Sequence, residues 1–189
     1  MTWLEVVGVV FGFIAIWLTV REDWRCWPAG LACVAAYAAV FWEARLYAAA
    51  VLQILYAALA LYGWHSWVRG GEDRGALKVT RSPRRALAGL LAAGTVAAVI
   101  LGTALRRFTD AALPASDAAT TAFSLVAQAL QTRKWIENWL IWIAVDAVYL
   151  AMYLSQGLYL TTLLYAAFLV LAVLGWRAWR RSMAPAASA

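Results

Sequence analysis

The sequence has few charged residues, one histidine and two cysteines, and each scarcity excludes a class of protein. Only 14% of the 189 residues are Asp, Glu, Lys or Arg, whereas 65% are hydrophobic. Soluble domains are about one-quarter charged and about half apolar, so a soluble domain is excluded. His65, Cys26 and Cys33 supply neither a metal site nor a disulfide framework. These residues also do not provide the nucleophile and the base that a membrane enzyme would need, and the chain has no Walker motif. We therefore expect no metal, no cofactor and no enzymatic activity.

The hydrophobic residues form long runs, most of them close to the ~20 residues that a helix needs to cross a bilayer. Such runs are helical because lipid offers no partner to backbone N–H and C=O groups. We predict seven spans: Trp3–Val20, Trp27–Trp42, Leu46–Trp67, Ala86–Leu105, Pro114–Gln131, Trp135–Leu154 and Leu158–Trp179. The fifth span is the most polar of the seven.

The second half of the chain repeats the first half at a constant offset of 112 positions. Phe11 falls on Phe123, Trp27 on Trp139, Gly63 on Gly175 and Trp67 on Trp179. Three spans form each copy, and the fourth returns the chain to the starting side, so the copies are parallel. We predict an all-α integral membrane protein with a 3+1+3 repeat of three-helix bundles and a binding site between them. The predicted divisions are 1–68 (first repeat), 69–112 (basic loop and connector helix), 113–180 (second repeat) and 181–189 (short tail). The small residues of the fourth span suit a connector or a surface for neighbouring subunits.

The distribution of Lys and Arg predicts the orientation in the membrane. With seven spans, three of the 16 basic residues (Arg45, Arg106 and Arg107) lie on one side and the other 13 on the opposite side. The positive-inside rule places the N-terminus outside and the C-terminus in the cytoplasm of a cell (inner) membrane. The basic loop from Arg69 to Arg85 is then an anchor beside anionic lipid, and the positive net charge requires no nucleic acid.

Polar side chains are concentrated on one predicted helical face of the sixth span. That face consists of Trp135, Asn138, Trp142, Asp146 and Tyr149, spaced by three or four residues. Candidate partners on other spans are Ser124 and Gln128 (fifth), Gln53 and Tyr56 (third) and Tyr165 (seventh). Aromatic faces with a few amides suit a flat, hydrogen-bonding ligand, and indole rings also attract a ring cation.

Two of these residues have a structural alternative. Asp146 is the one carboxylate in the middle of a span, and it belongs either to the transport pathway or to a structural hydrogen bond. Asn138 either binds the ligand or only links neighbouring helices.

Several segments contain polar and aromatic residues in a specific pattern. They are KWIENWLIWIAVD (Lys134–Asp146), GLYLT (Gly157–Thr161) and LLYAAFLVLA (Leu163–Ala172), with Gln53 and Gly63 in the first half. Together these residues resemble the PnuC family. The resemblance covers nearly the whole chain and implies a 3+1+3 fold related to the SWEET sugar transporters, assembled as a homotrimer. It implies uptake of nicotinamide riboside, an NAD precursor, by facilitated diffusion, with a cytoplasmic kinase that traps the product. The family's asparagine and tryptophan fall on Asn138 and Trp142, and its glutamine falls on Gln53.

The substrate has alternatives at this stage. Members of the family often have a small polar residue where this chain has Tyr56. Thiamine and riboflavin are carried by relatives of the family, and a SWEET-type sugar carrier is a further reading. A membrane accessory protein that transports nothing is the alternative from another class.

Overall fold

The computed structural model describes residues 3–43, 45, 47–110 and 112–183, and it is all-helical. The helices are α1 (Trp3–Val20), α2 (Cys26–Glu43), α3 (Tyr47–Arg69), α4 (Arg84–Phe108), α5 (Pro114–Thr132), α6 (Glu137–Ser155) and α7 (Tyr159–Ser182), with a 3₁₀ turn at Glu72–Arg74. One isolated β-bridge joins Thr80 and Trp135. The prediction of seven helices is confirmed. Leu46, where the third predicted span starts, and residues 184–189 of the predicted tail lie outside the described residues.

Within the described part of the chain, five helices are long and apolar enough to cross a membrane, judged by length and composition. They are α1, α2, α4, α6 and α7. Helix α5, which carries polar residues such as Gln128, does not meet this criterion, in agreement with the polar character that the sequence shows in the fifth span.

Helix α6 begins two residues later than predicted. Lys134 has a left-handed backbone conformation with φ 49°, which an α-helix does not accommodate. The next residues pair with an extended segment instead, since Ile136 N–H donates to the Thr80 carbonyl at 3.0 Å. Trp135 consequently lies in the turn before α6, and its predicted place on the helical face is wrong.

The first compact unit comprises Met1–Val79 and Thr132–Lys134. Within it α1 packs on α2, and α2 packs on α3. Trp27 on α2 is 2% exposed, and its ring rests on Gly63 of α3, where a Cβ atom would lie 2.6 Å from Cζ3 of the indole. Trp67 meets the same ring edge-on, with centroids 5.3 Å apart and an angle of 89°. The missing side chain at Gly63 therefore makes room for the indole.

The second compact unit comprises Thr80–Gln131 and Trp135–Ala189, and it contains the same arrangement 112 residues later. Trp139 on α6 rests on Gly175 of α7, where a Cβ atom would lie 2.6 Å from Cε2 of the indole. Trp179 meets Trp139 edge-on, with centroids 5.4 Å apart and an angle of 85°. The residues that repeat in the sequence thus make equivalent local contacts in each unit.

Helix α4 belongs to the second unit and uses its small residues to approach α5. A Cβ atom at Gly94 would lie 2.7 Å from Cγ2 of Val126, and one at Gly102 would lie 3.4 Å from Cβ of Ala118. Both glycines are buried. Val96 and Ile100, in contrast, are exposed. Gly94 and Gly102 therefore serve packing within the chain, whereas the apolar side chains of Val96 and Ile100 are left exposed.

Two turns with left-handed residues also recur at the repeat offset. Glu22 and Lys134 have φ values of 58° and 49°, and Arg45 and Gly157 have 57° and 70°. Within the first unit, Lys134 Nζ lies 3.4 Å from Glu22 Oε2 and 4.5 Å from the centroid of the Trp67 ring. Burial lowers the pKa of the Lys134 amine, and the Glu22 carboxylate acts against that shift. The ion pair and the indole together stabilise a charge that is only 5% exposed.

Candidate ligand-binding site

Asn138 stands in the first turn of α6 and is fully buried. Its Nδ2 atom donates to the Trp135 carbonyl at 2.6 Å, so the turn that precedes the helix sets the orientation of the amide. Its Oδ1 atom has no hydrogen-bond partner among the described residues. A buried acceptor without a donor is costly, which makes Oδ1 a candidate acceptor for an N–H or O–H group of a ligand.

Trp142 lies one turn further along α6 and is half-buried. Its indole Nε1 donates to Oε1 of Gln131, near the end of α5, at 3.3 Å. The donor of the ring is therefore occupied, and the bond favours one orientation of the indole. Gln131 was not among the predicted site residues, although it continues the polar spacing of the fifth span.

Asp146 is 6% exposed and lies one turn beyond Trp142 on the same helix. Among the residues that the structure describes, no side chain donates a hydrogen bond to its carboxyl group or forms an ion pair with it. The structural hydrogen bond that the sequence left as an alternative is thus not present in the described part of the chain. A buried acid of this kind is suited to a cation or to a hydrogen-bond donor from a ligand.

Three tyrosines form an aromatic cluster between α6 and α7. The Tyr149 ring lies 4.6 Å from Tyr165 and 5.7 Å from Tyr153, and Tyr153 lies 5.1 Å from Tyr165, measured between centroids. Tyr149 and Tyr165, which the sequence predicts as site residues, are therefore in ring contact, and Ser124 is buried on α5 of the same unit. Tyr153 was missed, although it lies one turn beyond Tyr149 on the same face.

The remaining predicted residues have separate positions. Gln128 is half-buried on α5, and Trp135 lies in the turn before α6. Gln53 and Tyr56 are half-buried on α3 in the first unit and are three residues apart, so they share one side of that helix. No group of three or more metal-ligating side chains occurs among the described residues.

One shallow surface groove lies along α3 and involves none of the ten predicted site residues. Its lining residues are Leu61, Trp64, His65, Val68 and Arg69. It lies on a single helix and lacks the converging polar groups of a small-molecule site. The polar and aromatic residues of α5, α6 and α7 therefore remain the better candidate site.

Nearly the whole chain matches one family of known proteins. The family model is described as nicotinamide mononucleotide transporter, and it matches residues 2–181. A nicotinamide riboside transporter, PnuC of Escherichia coli K12, is 27% identical over 207 aligned positions, which cover 96% of this chain and 87% of that protein. The chain belongs to the PnuC family. The resemblance seen in the sequence is thus confirmed, and this PnuC-family member is a membrane transporter.

Two further similarities concern substrate and fold. The riboflavin/roseoflavin transporter RibM of Streptomyces davaonensis is 30% identical over 186 positions, covering 94% of this chain and 84% of that protein. A crystal structure of the vitamin B3 transporter PnuC has a TM-score of 0.72 and 24% identity, and it covers 95% of this chain and 81% of its own. The structural likeness supports the PnuC fold, while the transporters with similar sequences differ in their named substrates.

Proposed function

We propose that this protein carries nicotinamide riboside across the membrane and that the ligand binds along α6 of the second unit. The observation that supports the substrate is Asp146, a buried acid to which the described part of the chain supplies no side-chain hydrogen bond or ion pair, on a helix that also presents Trp142 and Tyr149. Nicotinamide riboside has a flat pyridinium ring with a positive charge, a carboxamide and a ribose. Aromatic faces and a carboxylate stabilise such a ring, and amides bond its polar edge.

Each candidate residue has a separate role in this proposal. The Trp142 ring stacks on the pyridinium, and Asp146 balances its charge. The free Oδ1 of Asn138 accepts a hydrogen bond from the carboxamide or a ribose hydroxyl. Because Asn138 is fully buried, a ligand reaches it only when the surrounding side chains move, as alternating access requires. The other predicted residues (Ser124, Gln128, Tyr149 and Tyr165 of the second unit, Trp135, and Gln53 and Tyr56 of the first) remain proposed contributors.

Riboflavin is the second candidate, because RibM is 30% identical to this chain. Riboflavin is also flat and hydrogen-bonding, but its ring system is neutral. It would gain from stacking on Trp142 and would gain no charge pairing with Asp146. The effect of removing the Asp146 charge therefore distinguishes the two substrates.

Uptake into liposomes tests the proposal directly. Purified protein is reconstituted, and uptake of labelled nicotinamide riboside is measured against unlabelled nicotinamide riboside, riboflavin and thiamine as competitors. We expect saturable uptake that only nicotinamide riboside suppresses at low concentration. Competition by riboflavin alone would favour the second candidate, and no uptake of any of the three would refute a vitamin carrier of this type.

Alanine variants test the ligand site. Trp142→Ala and Asn138→Ala should each reduce nicotinamide riboside uptake by about tenfold or more, since a stacking ring or a buried hydrogen bond to a cation is lost. Trp17→Ala is a matched control, because Trp17 is an exposed indole on α1. The melting temperature of each variant identifies any loss through unfolding. Uptake at the wild-type level by both folded variants would contradict the placement.

The resemblance to the family also supports a proposed transport mode and architecture. We infer that all seven helices cross the cell (inner) membrane in a 3+1+3 arrangement, with the N-terminus outside and the C-terminus in the cytoplasm. Transport is by facilitated diffusion, so liposome uptake should stop at equal concentrations and ignore proton and sodium gradients. Accumulation in cells then needs a cytoplasmic kinase that phosphorylates the product.

A homotrimer is the proposed assembly, with the exposed apolar face of α4 as the candidate surface. The mass of the protein in detergent and a reporter fused to the C-terminus test the assembly and the orientation. A monomeric mass would refute the homotrimer, and an external reporter would reverse the proposed topology.

A further inference from the structure

The start of α6 is fastened to an extended segment that lies 55 residues earlier in the chain. Ile136 N–H donates to the Thr80 carbonyl at 3.0 Å, and Ser82 N–H donates to Oε2 of Glu137 at 2.9 Å. These two bonds join consecutive residues of the α6 start to residues 80 and 82, all within the second unit. The first turn of α6 is therefore held from outside the helix as well as by its own backbone.

Glu137 is the first residue of α6 and directly precedes Asn138. A carboxylate at a helix N-terminus is stabilised by the unpaired backbone N–H groups there. The bond to Ser82 gives this carboxylate a second function, because it fixes the rotation of the first turn. Asn138 in the same turn then has its Nδ2 on the Trp135 carbonyl and its Oδ1 free.

Gln131 holds the same stretch of α6 one turn later. It accepts the Trp142 indole N–H at 3.3 Å, and a half-buried indole with its donor occupied loses most of its freedom to rotate. The two proposed ligand contacts are thus each held by a neighbouring residue. Glu137, which is bonded to Ser82, directly precedes Asn138, and Gln131 accepts the indole N–H of Trp142.

We propose that Glu137 and Gln131 are positioning residues, which hold the Asn138 amide and the Trp142 ring in the orientation that binds the ligand. This inference rests on the proposed function, because it takes Asn138 and Trp142 as the ligand contacts. Neither residue touches the ligand. Both act by preorganisation, so their loss weakens binding without removing a contact.

The test compares substitutions that remove an acceptor with substitutions that keep it. Glu137→Ala and Gln131→Met remove the acceptor, whereas Glu137→Gln and Gln131→Glu keep an oxygen at the end of a side chain of the same length. Controls are Glu43→Ala, at the exposed end of α2, and Gln156→Met, at the exposed position directly after α6. Uptake of labelled nicotinamide riboside into liposomes gives KM and the maximal rate for each, and melting temperatures are measured in parallel.

We expect Glu137→Ala and Gln131→Met to raise KM by about threefold to tenfold, the loss that one hydrogen bond represents. Their maximal rates should stay within about twofold of the wild type, because these variants lose the preorganisation of the site and no contact with the ligand. Glu137→Gln and both controls should keep the wild-type KM. If Glu137→Ala unfolds at the temperature of the assay, the deciding comparison is the KM of Gln131→Met with the KM of Gln131→Glu.

Wild-type KM in folded Glu137→Ala and Gln131→Met, alongside weakened uptake by Trp142→Ala, would overturn the positioning role and leave the proposed function intact. Equal losses in Glu137→Ala and Glu137→Gln would also overturn it. Failure of the wild-type protein to take up nicotinamide riboside would instead remove the proposed function, so the two failures are distinguishable.

Discussion

Gly175 is the position where a single methyl group should damage the fold most clearly. A Cβ atom there would lie 2.6 Å from Cε2 of Trp139, well inside van der Waals contact. The Trp139 ring is 2% exposed and is held on another side by Trp179, which is fully buried. The buried indole is therefore confined between Gly175 and Trp179, and we predict that Gly175→Ala destabilises the protein.

The size of the effect follows from two opposing terms. Replacing a glycine by alanine inside a helix gains about 1 kcal/mol from helix propensity. Forcing a methyl group into a packed interior costs about 1–3 kcal/mol, and the upper end applies because the obstacle is a rigid ring. The net loss is then about 2 kcal/mol. For a chain of this size that loss lowers the melting temperature by about 4–8 °C.

Thermal unfolding in detergent measures this prediction. Gly30→Ala and Gly89→Ala are matched controls, because a Cβ atom at either glycine has no neighbour within 4 Å, and both should melt at or above the wild-type temperature. Gly63→Ala should behave like Gly175→Ala, since Gly63 has the equivalent contact with Trp27. A Gly175→Ala protein as stable as the Gly89→Ala control would refute the packing argument.

Two further predictions concern charges. Glu22→Gln leaves the 5%-exposed Lys134 without its anionic partner, and because Glu22 is itself 26% exposed we expect a moderate loss of about 1–2 kcal/mol. Exchanging the two charges in a Glu22→Lys, Lys134→Glu protein should restore much of that stability in the same unfolding assay, and no recovery would show that the ion pair is unimportant. Asp146→Asn should raise the KM for nicotinamide riboside by about tenfold or more, as expected for losing a charge-assisted contact, with riboflavin competition unchanged. An unchanged KM would argue against a charge-balancing role for Asp146.

Most of the fold could be predicted from the sequence because lipid-compatible helices need long apolar runs, which are visible in any single chain. The repeat also marked Trp27, Gly63 and their partners before any contact was known. The start of α6 could not be predicted in this way. Its position depends on the left-handed backbone of Lys134 and on pairing with Thr80, and neither leaves a signal in hydrophobic periodicity.

The candidate site could be predicted only in part, for a related reason. Helical spacing located Asn138, Trp142, Asp146 and Tyr149 on one face, because that information is local. Gln131 was seen as one more polar residue of the fifth span, and its bond to Trp142 depends on how two helices meet. The bond between Glu137 and Ser82 joins residues far apart in the chain, and no spacing rule links them.

The contact between Glu22 and Lys134 depends on a difference between two otherwise equivalent positions. The two residues are 112 positions apart, share the same left-handed backbone conformation and carry opposite charges. The same residue at both positions would set glutamate against glutamate, or lysine against lysine, at this distance. The difference between the two turns therefore replaces a repulsion by an attraction.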